Sequence, residues 1–267
     1  MKNKIEKIDF FVFTGTGNTL LVVNAMSGIF RSEGIDVQLH RIEKSTPEDI
    51  PGSGTLGLAF PVAAQATFPL VTNFLKSLPK IEGKKVFMVD TLATFSGAIV
   101  GPLKKMLEDK GYITLGAKEI IMPNNYTPKQ FGPETEELIK HGIKTAEKYA
   151  LDLIEGQTEW NRIPVISDIF NSFATSQRVW KQVSKVVKSF AIDQNKCTRC
   201  GLCKDLCPVN NISLEPFPIY AEKCQQCMRC INFCPNDSIS YKGKKYPKIN
   251  SIKPKDLLNI HNPEVQE

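Results

Sequence analysis

The residues best placed to do chemistry are the eight cysteines, which fall in two runs of the 267-residue chain. Cys197, Cys200, Cys203 and Cys207 are followed by Pro208, and Cys224, Cys227, Cys230 and Cys234 by Pro235. Each run reads C-x-x-C-x-x-C-x-x-x-C-P. Three thiolates at that spacing let one short loop wrap three corners of an iron-sulfur cube, and the fourth, ahead of a proline, ligates the other cube. On this rule one 4Fe-4S cluster takes Cys197, Cys200, Cys203 and Cys234, and the second takes Cys224, Cys227, Cys230 and Cys207. Disulfides and zinc are the alternatives. Zinc ribbons lack the three-cysteine run, and disulfides require an oxidising compartment.

The repeat extends beyond the cysteines. A shift of 27 residues also pairs Ile192 with Ile219, Lys196 with Lys223, Ile212 with Ile239 and Ser213 with Ser240. Each half reads as a short strand, a cluster loop, one helical turn and a return strand. Residues 191 to 241 therefore resemble a two-cluster bacterial ferredoxin.

A second chemical feature lies near the start. Ile8 to Phe13 is an apolar run of β-branched and aromatic residues, as expected of a strand buried on both faces. It runs into Thr14, Gly15, Thr16, Gly17, Asn18 and Thr19, and then into an apolar stretch that suits a helix. Glycines let the backbone wrap an anion, helix-start amides point at it, and the threonine and asparagine side chains add donors. A side chain at Gly17 is expected to block those amides. The loop is neither a P-loop, lacking the Gly-Lys-Ser/Thr ending, nor the dinucleotide fingerprint, since Leu20 stands where the third glycine belongs. It contains no Lys or Arg. A cradle of hydroxyls and amides without a cation resembles the phosphate loop of flavodoxins, which grips FMN; the alternative is a glycine-rich turn that binds nothing.

Those two sites need a scaffold, and the intervening sequence supplies one. Val37 to Ile42, Leu56 to Phe60, Lys85 to Val89 and Tyr112 to Met122 read as further strands. Phe68 to Leu78, about Gly97 to Lys110, and Pro133 to Ile154 read as helices between and after them. Alternation of this kind predicts an α/β fold with a doubly wound parallel five-stranded sheet, order 2-1-3-4-5, followed by a small α+β domain. Ligands of such sheets bind at the carboxyl ends of the strands. The loops expected to converge there are residues 14 to 19, a second with Pro61, Val62 and Ala63, and a third with Thr91, Leu92, Ala93, Thr94, Phe95 and Gly97.

Taken whole, residues 5 to 241 are similar to flavodoxin-ferredoxin fusion proteins of anaerobic bacteria and archaea. The resemblance rests on Phe13 to Thr19, Ala59-Phe60-Pro61-Val62, Met122-Pro123-Asn124-Asn125-Tyr126 and both cysteine runs. It implies two 4Fe-4S clusters and FMN, with residues 1 to 156 as the flavodoxin-like domain and 191 to 241 as the ferredoxin domain. One departure stands out: these fusions often carry Tyr after the Pro-Val pair, where this chain has Ala63. Phe95 or Phe68 is the expected aromatic substitute against the flavin.

Residues 157 to 190 read as a linker and amphipathic helix, with Ile166, Phe170, Phe173, Trp180, Val183, Val187 and Phe190 among basic residues. The expected role is a brace between domains, with membrane-surface binding as the alternative. Residues 242 to 267 read as a solvated basic tail, able to steer an acidic partner.

The net charge of +6 at pH 7 counts cysteines as neutral, and each thiolate-ligated cluster subtracts about two charges, so a nucleic-acid role gains nothing from it. No apolar run reaches the roughly eighteen residues of a membrane span, and a cytoplasmic location is expected. Three functional classes remain. The first is an electron-transfer protein passing single low-potential electrons between the clusters and FMN, and on to a redox partner of ferredoxin, hydrogenase or reductase type. The second is an FMN-dependent reductase of a quinone, disulfide or imine. The third is a ferredoxin carrier with an empty flavodoxin-like docking domain. A homo-oligomer is compatible with each.

Overall fold

The computed structural model describes residues 5–94, 99–125, 132–161, 176–244, 246, 248 and 252–260. Five strands form one parallel sheet: β1 (Lys7–Val12), β2 (Asp36–Arg41), β3 (Thr55–Pro61), β4 (Lys85–Leu92) and β5 (Ile113–Ile121), in the order β2-β1-β3-β4-β5. Parallel neighbours require crossovers, here made by α1 (Asn18–Ser32), α2 (Pro69–Ser77) and α3 (Val100–Glu108), with α4 (Pro133–Glu155) following the last strand. The central strands are apolar almost without interruption because helices cover both faces. On one face Phe11, Leu58, Phe60 and Met88 pack with Val71, Leu75 and Leu103. On the other, Phe10, Val12, Phe87 and Val89 pack with Val22, Met26, Phe30, Ala146 and Leu153.

The cysteine-bearing part is built from two small antiparallel ribbons. β6 (Phe190–Ile192) pairs with β9 (Ile239–Tyr241), and β7 (Ile212–Leu214) with β8 (Pro218–Tyr220). Between them lie the helical turns α6 (Leu202–Asp205) and α7 (Arg229–Asn232). The 27-residue repeat is written into the backbone: Arg199 and Gln226, Gly201 and Met228, and Asn210 and Asp237 all take positive φ. Non-glycine residues adopt that region at a cost of about 1–2 kcal/mol each, accepted here because the loop must curl its cysteines inward.

Ahead of this part, α5 (Gln177–Ser184) sets Trp180 against Phe68, their ring centroids 5.9 Å apart, and Val187 is buried. Trp180 thus packs on the core of the sheet domain. Ile166, Phe170 and Phe173, assigned to the same helix by their spacing, lie outside the described residues.

The segment read as a solvated tail is partly a structural one. Ile252, Leu257 and Ile260 are buried against Leu20, Leu206 and Phe233, with α8 (Pro254–Leu258) carrying Leu257. Lys248 pairs with Asp237 at 2.6 Å. The lysines dominate the composition and obscure the apolar residues that anchor it. Replacing Leu257 by Ala is expected to cost about 2–4 kcal/mol and lower Tm by roughly 5–10 °C, with iron content unchanged. Thermal unfolding followed by circular dichroism checks this; an unchanged Tm would return the segment to a solvated tail.

Candidate cofactor sites

The first site lies at the carboxyl ends of β1, β3, β4 and β5, beside the crevice where the strand order reverses. A cavity of about 470 Å³, partly open to solvent, is lined by Thr14, Gly15, Thr16, Asn18 and Thr19 from the first loop. Pro61 and Val62 come from the second loop, Thr91, Leu92 and Ala93 from the third, and Met122, Pro123, Asn124 and Asn125 from the segment after β5. Gly17 N–H donates to Thr14 Oγ1 at 3.2 Å and closes the loop. Thr19 and Thr91 share a hydroxyl hydrogen bond of 2.8 Å that ties the start of α1 to the end of β4. Asn18 Nδ2 donates to Pro123 O at 2.9 Å.

Several features fit the phosphate monoester of FMN. Thr16 Oγ1 is buried without a hydrogen-bond partner, a donor awaiting an acceptor. The first turn of α1 has no acidic residue and no side-chain cap, so its free amides and positive dipole end face the loop. Asp90, one residue before Thr91, is fully enclosed. Burial, reinforced by the neighbouring Glu119 charge, raises its carboxyl well above the ordinary range.

Among the described residues, three predicted ones, Gly17, Ala63 and Thr94, stand outside the lining. Ala63 closes a tight turn with Ala66 and is buried in the core, outside the cavity lining. Thr94 also lies outside that lining, and Phe95 and Gly97 are outside the described residues. Phe68 does not substitute for an aromatic wall, because its ring is buried between Phe13 and Trp180 at centroid distances of 5.2 and 5.9 Å. Gly17, at φ +114°, turns its missing side chain away from the cradle. A Cβ there would lie 3.0 Å from Ile252, so the expected steric block falls on the docked C-terminal segment instead.

The cysteines surround two further cavities. One is lined by Cys197, Cys200, Cys203 and Cys234; the other by Cys207, Cys224, Cys227 and Cys230. Backbone amides reach the sulfurs: Asn211 N–H donates to Cys207 Sγ at 3.2 Å, and its repeat equivalent Ser238 N–H to Cys234 Sγ at 3.4 Å. Burial pushes the Cys203 thiol up to about 11 and Cys227 up to about 12. Iron must displace those protons on binding. Four thiols around each void fit a 4Fe-4S cube, whose thiolate ligands stand at its corners.

The two kinds of site touch. A Cβ on Gly15 would sit 2.7 Å from the Cys227 carbonyl oxygen, so the cradle and the second cysteine loop meet backbone to backbone. Arg229, between Cys227 and Cys230, donates from Nε to Thr14 O at 2.8 Å and from Nη1 to Leu206 O at 3.2 Å. Its Nη1 also pairs with Glu43 Oε1 at 2.7 Å, both side chains only 1% exposed, and its guanidinium lies 4.8 Å from the Phe13 ring centroid. Arg41 donates to the same carboxylate oxygen from Nε and Nη2 at 3.1 and 3.0 Å. Burial alone would raise the Glu43 carboxyl, but the two arginines outweigh it and hold it below the usual range. Asn232 Nδ2 reaches Thr16 O at 3.4 Å.

Reasoning from the sequence missed Arg229, Glu43 and Asn232. Their signal lies in the repeat itself: the first half has Leu202 and Asp205 where the second has Arg229 and Asn232. The expected outcome of Gly15→Ala is FMN affinity lowered about tenfold or more, because a backbone-to-backbone contact cannot yield as a flexible side chain does. Fluorescence titration of the flavin-free protein measures it, and wild-type affinity would show that the contact is slack.

Comparison with known proteins follows the same division. A family of 4Fe-4S binding domains matches residues 190–213 and 217–240. A flavodoxin of Megasphaera elsdenii is 27% identical over 135 residues, covering 49% of this chain and 94% of that protein. Among solved structures, the two-electron reduced M. elsdenii flavodoxin is 26% identical, with 51% of this chain and 98% of that one covered, at a TM-score of 0.40. A Streptococcus pneumonia TIGR4 flavodoxin is 18% identical, with 55% and 99% covered, at 0.41. The flavodoxin relative corresponds to the sheet and the paired repeats to the cysteines, so the chain joins a flavodoxin-like domain to a two-repeat 4Fe-4S binding domain.

Proposed function

We propose that the chain relays low-potential electrons between two 4Fe-4S clusters and one FMN, exchanging them with a redox partner protein of ferredoxin, hydrogenase or reductase type in a reducing, cytoplasmic setting. A cube passes one electron at a time and FMN takes one or two, so together they supply transfer and pairing of electrons. Cys197, Cys200, Cys203 and Cys234 hold one cluster, and Cys224, Cys227, Cys230 and Cys207 the other. Thr14 to Thr19 hold the FMN phosphate, while Pro61, Val62, Leu92, Ala93 and Met122 form the apolar part of the cavity. Residues 1 to 156 act as the flavin domain and 191 to 241 as the cluster domain.

The observation that carries this reading is the contact of Gly15 with Cys227. Cys227 lines the second cysteine cavity, and Gly15 lines the cradle. The chain thus needs no diffusive encounter to bring the two cofactor sites together. The remaining work falls to the scaffold: Trp180, Phe68 and Phe13 exclude water from one flank of the junction, and the amides on Cys207 and Cys234 temper the charge of the sulfurs.

Protein purified without oxygen is expected to contain roughly eight irons and about one FMN per chain. Chemical iron determination, together with flavin released by heat and quantified by absorbance, checks both numbers. Four irons would contradict the ligand assignment. Full iron with no flavin, and none taken up on addition of FMN, would leave the sheet domain as a docking scaffold.

A further inference from the structure

The cradle lacks a cation of its own, yet a buried one stands behind it. Arg41, Glu43 and Arg229 form a triad of two guanidiniums and one carboxylate, 7%, 1% and 1% exposed respectively. Its net charge is therefore positive, and Arg229 Nη2 has no hydrogen-bond partner of its own. Two of the three residues belong to the sheet domain. The third projects from the turn between Cys227 and Cys230.

We infer that Arg229 is a positioning residue that couples the second cysteine site to the phosphate cradle, so that FMN affinity depends on whether the second cluster is in place and not on the first. The inference rests on the electron-relay reading and adds a linkage between its two cofactors. The physical route is short. Ligation of Cys227 and Cys230 fixes the intervening turn, which fixes the Arg229 backbone. Arg229 Nε then holds the Thr14 carbonyl at 2.8 Å, Cys227 O abuts Gly15, and Asn232 holds the Thr16 carbonyl at 3.4 Å. Thus three consecutive cradle residues are braced from behind by the segment 227 to 232. The turn that carries Cys200 and Cys203 presents Leu202 at the position equivalent to Arg229, and an apolar side chain cannot hold a carbonyl.

A cluster that leaves the second site frees this brace, and the amides lose the geometry that receives a phosphate. Because linkage is reciprocal, bound FMN makes iron at the second site harder to remove by the same factor. The triad adds a charge component. A dianionic phosphate in front of a net positive, poorly hydrated group is stabilised, whereas riboflavin, without a phosphate, gains nothing from it.

The test titrates flavin-stripped protein, prepared without oxygen, with FMN and with riboflavin, reading flavin fluorescence. Cys224→Ser is expected to weaken FMN binding about tenfold or more, a size typical of coupled sites. Cys200→Ser should leave it unchanged within about twofold, the scatter of sites that share no partner. The affinity for riboflavin should change little in either. Arg229→Lys, which keeps the charge beside Glu43 but lacks the guanidinium fork, should reproduce the FMN weakening with iron content retained and Tm near that of the unaltered protein. Equal effects of the two cysteine variants, or equal losses for FMN and riboflavin, would overturn the proposal. If Arg229→Lys loses iron, the two cysteine variants still decide, since both retain Arg229. Unaltered protein that binds no FMN would instead defeat the electron-relay reading itself, a result distinct from failure of the coupling.

Discussion

The buried contact among Arg229, Glu43 and the Thr14 carbonyl is the constraint around which the two halves of the molecule are arranged. A buried ion pair is a poor source of net stability, because desolvation of both charges roughly offsets their attraction. Its consequence is geometric. Once Arg229 has left water it needs the Glu43 carboxylate, which it reaches in this docking of the cluster domain on the sheet. Loss of Glu43 would strand the buried guanidinium of Arg229, at a cost of about 3–5 kcal/mol, whereas loss of Arg229 leaves Glu43 its pair with Arg41. The apolar contacts around the pair, Phe13 beneath the guanidinium and Leu20 against Leu206 and Ile252, give the interface its favourable free energy. The pair then selects its register.

That register explains why the glycines of the first loop fall where they do. In the sequence they look like accommodations to a ligand alone. In the structure Gly15 is also the closest approach of two backbones, and Gly17 faces Ile252 from the C-terminal segment. The loop is thin because it is enclosed on both sides, with the cradle in front and the cluster domain behind. The lack of a cation in the loop has the same origin, since two guanidiniums lie behind it within the triad.

Much of this was legible in the sequence, and the parts that were not share a cause. The sheet order followed from alternation of apolar strands with amphipathic helices, and the two cysteine runs from their spacing, because both signals are local and periodic. The flavin-facing loops were legible only at their first residues. Pro61 and Val62 lie on the cavity, whereas Ala63 turns into the core because the chain reverses at once to meet Ala66. Asn124 and Asn125 entered the resemblance but not the assigned site, although they line the cavity. The Arg229–Glu43 pair joins residues 186 apart, beyond any sequence period. The basic tail hid Ile252, Leu257 and Ile260 in the same way: composition averaged away three residues whose positions matter more than their number.

The central claim is that the cluster and flavin sites of one chain form a single electron-transfer unit. The most direct test mixes the loaded protein rapidly with a one-electron reductant that reacts at the clusters and follows flavin bleaching over a range of protein concentrations. The account predicts a first-order phase whose rate does not change with protein concentration and is lost when Cys224 is replaced by Ser. A flavin reduction rate that rises in proportion to protein concentration would show that electrons pass between molecules, and would contradict it.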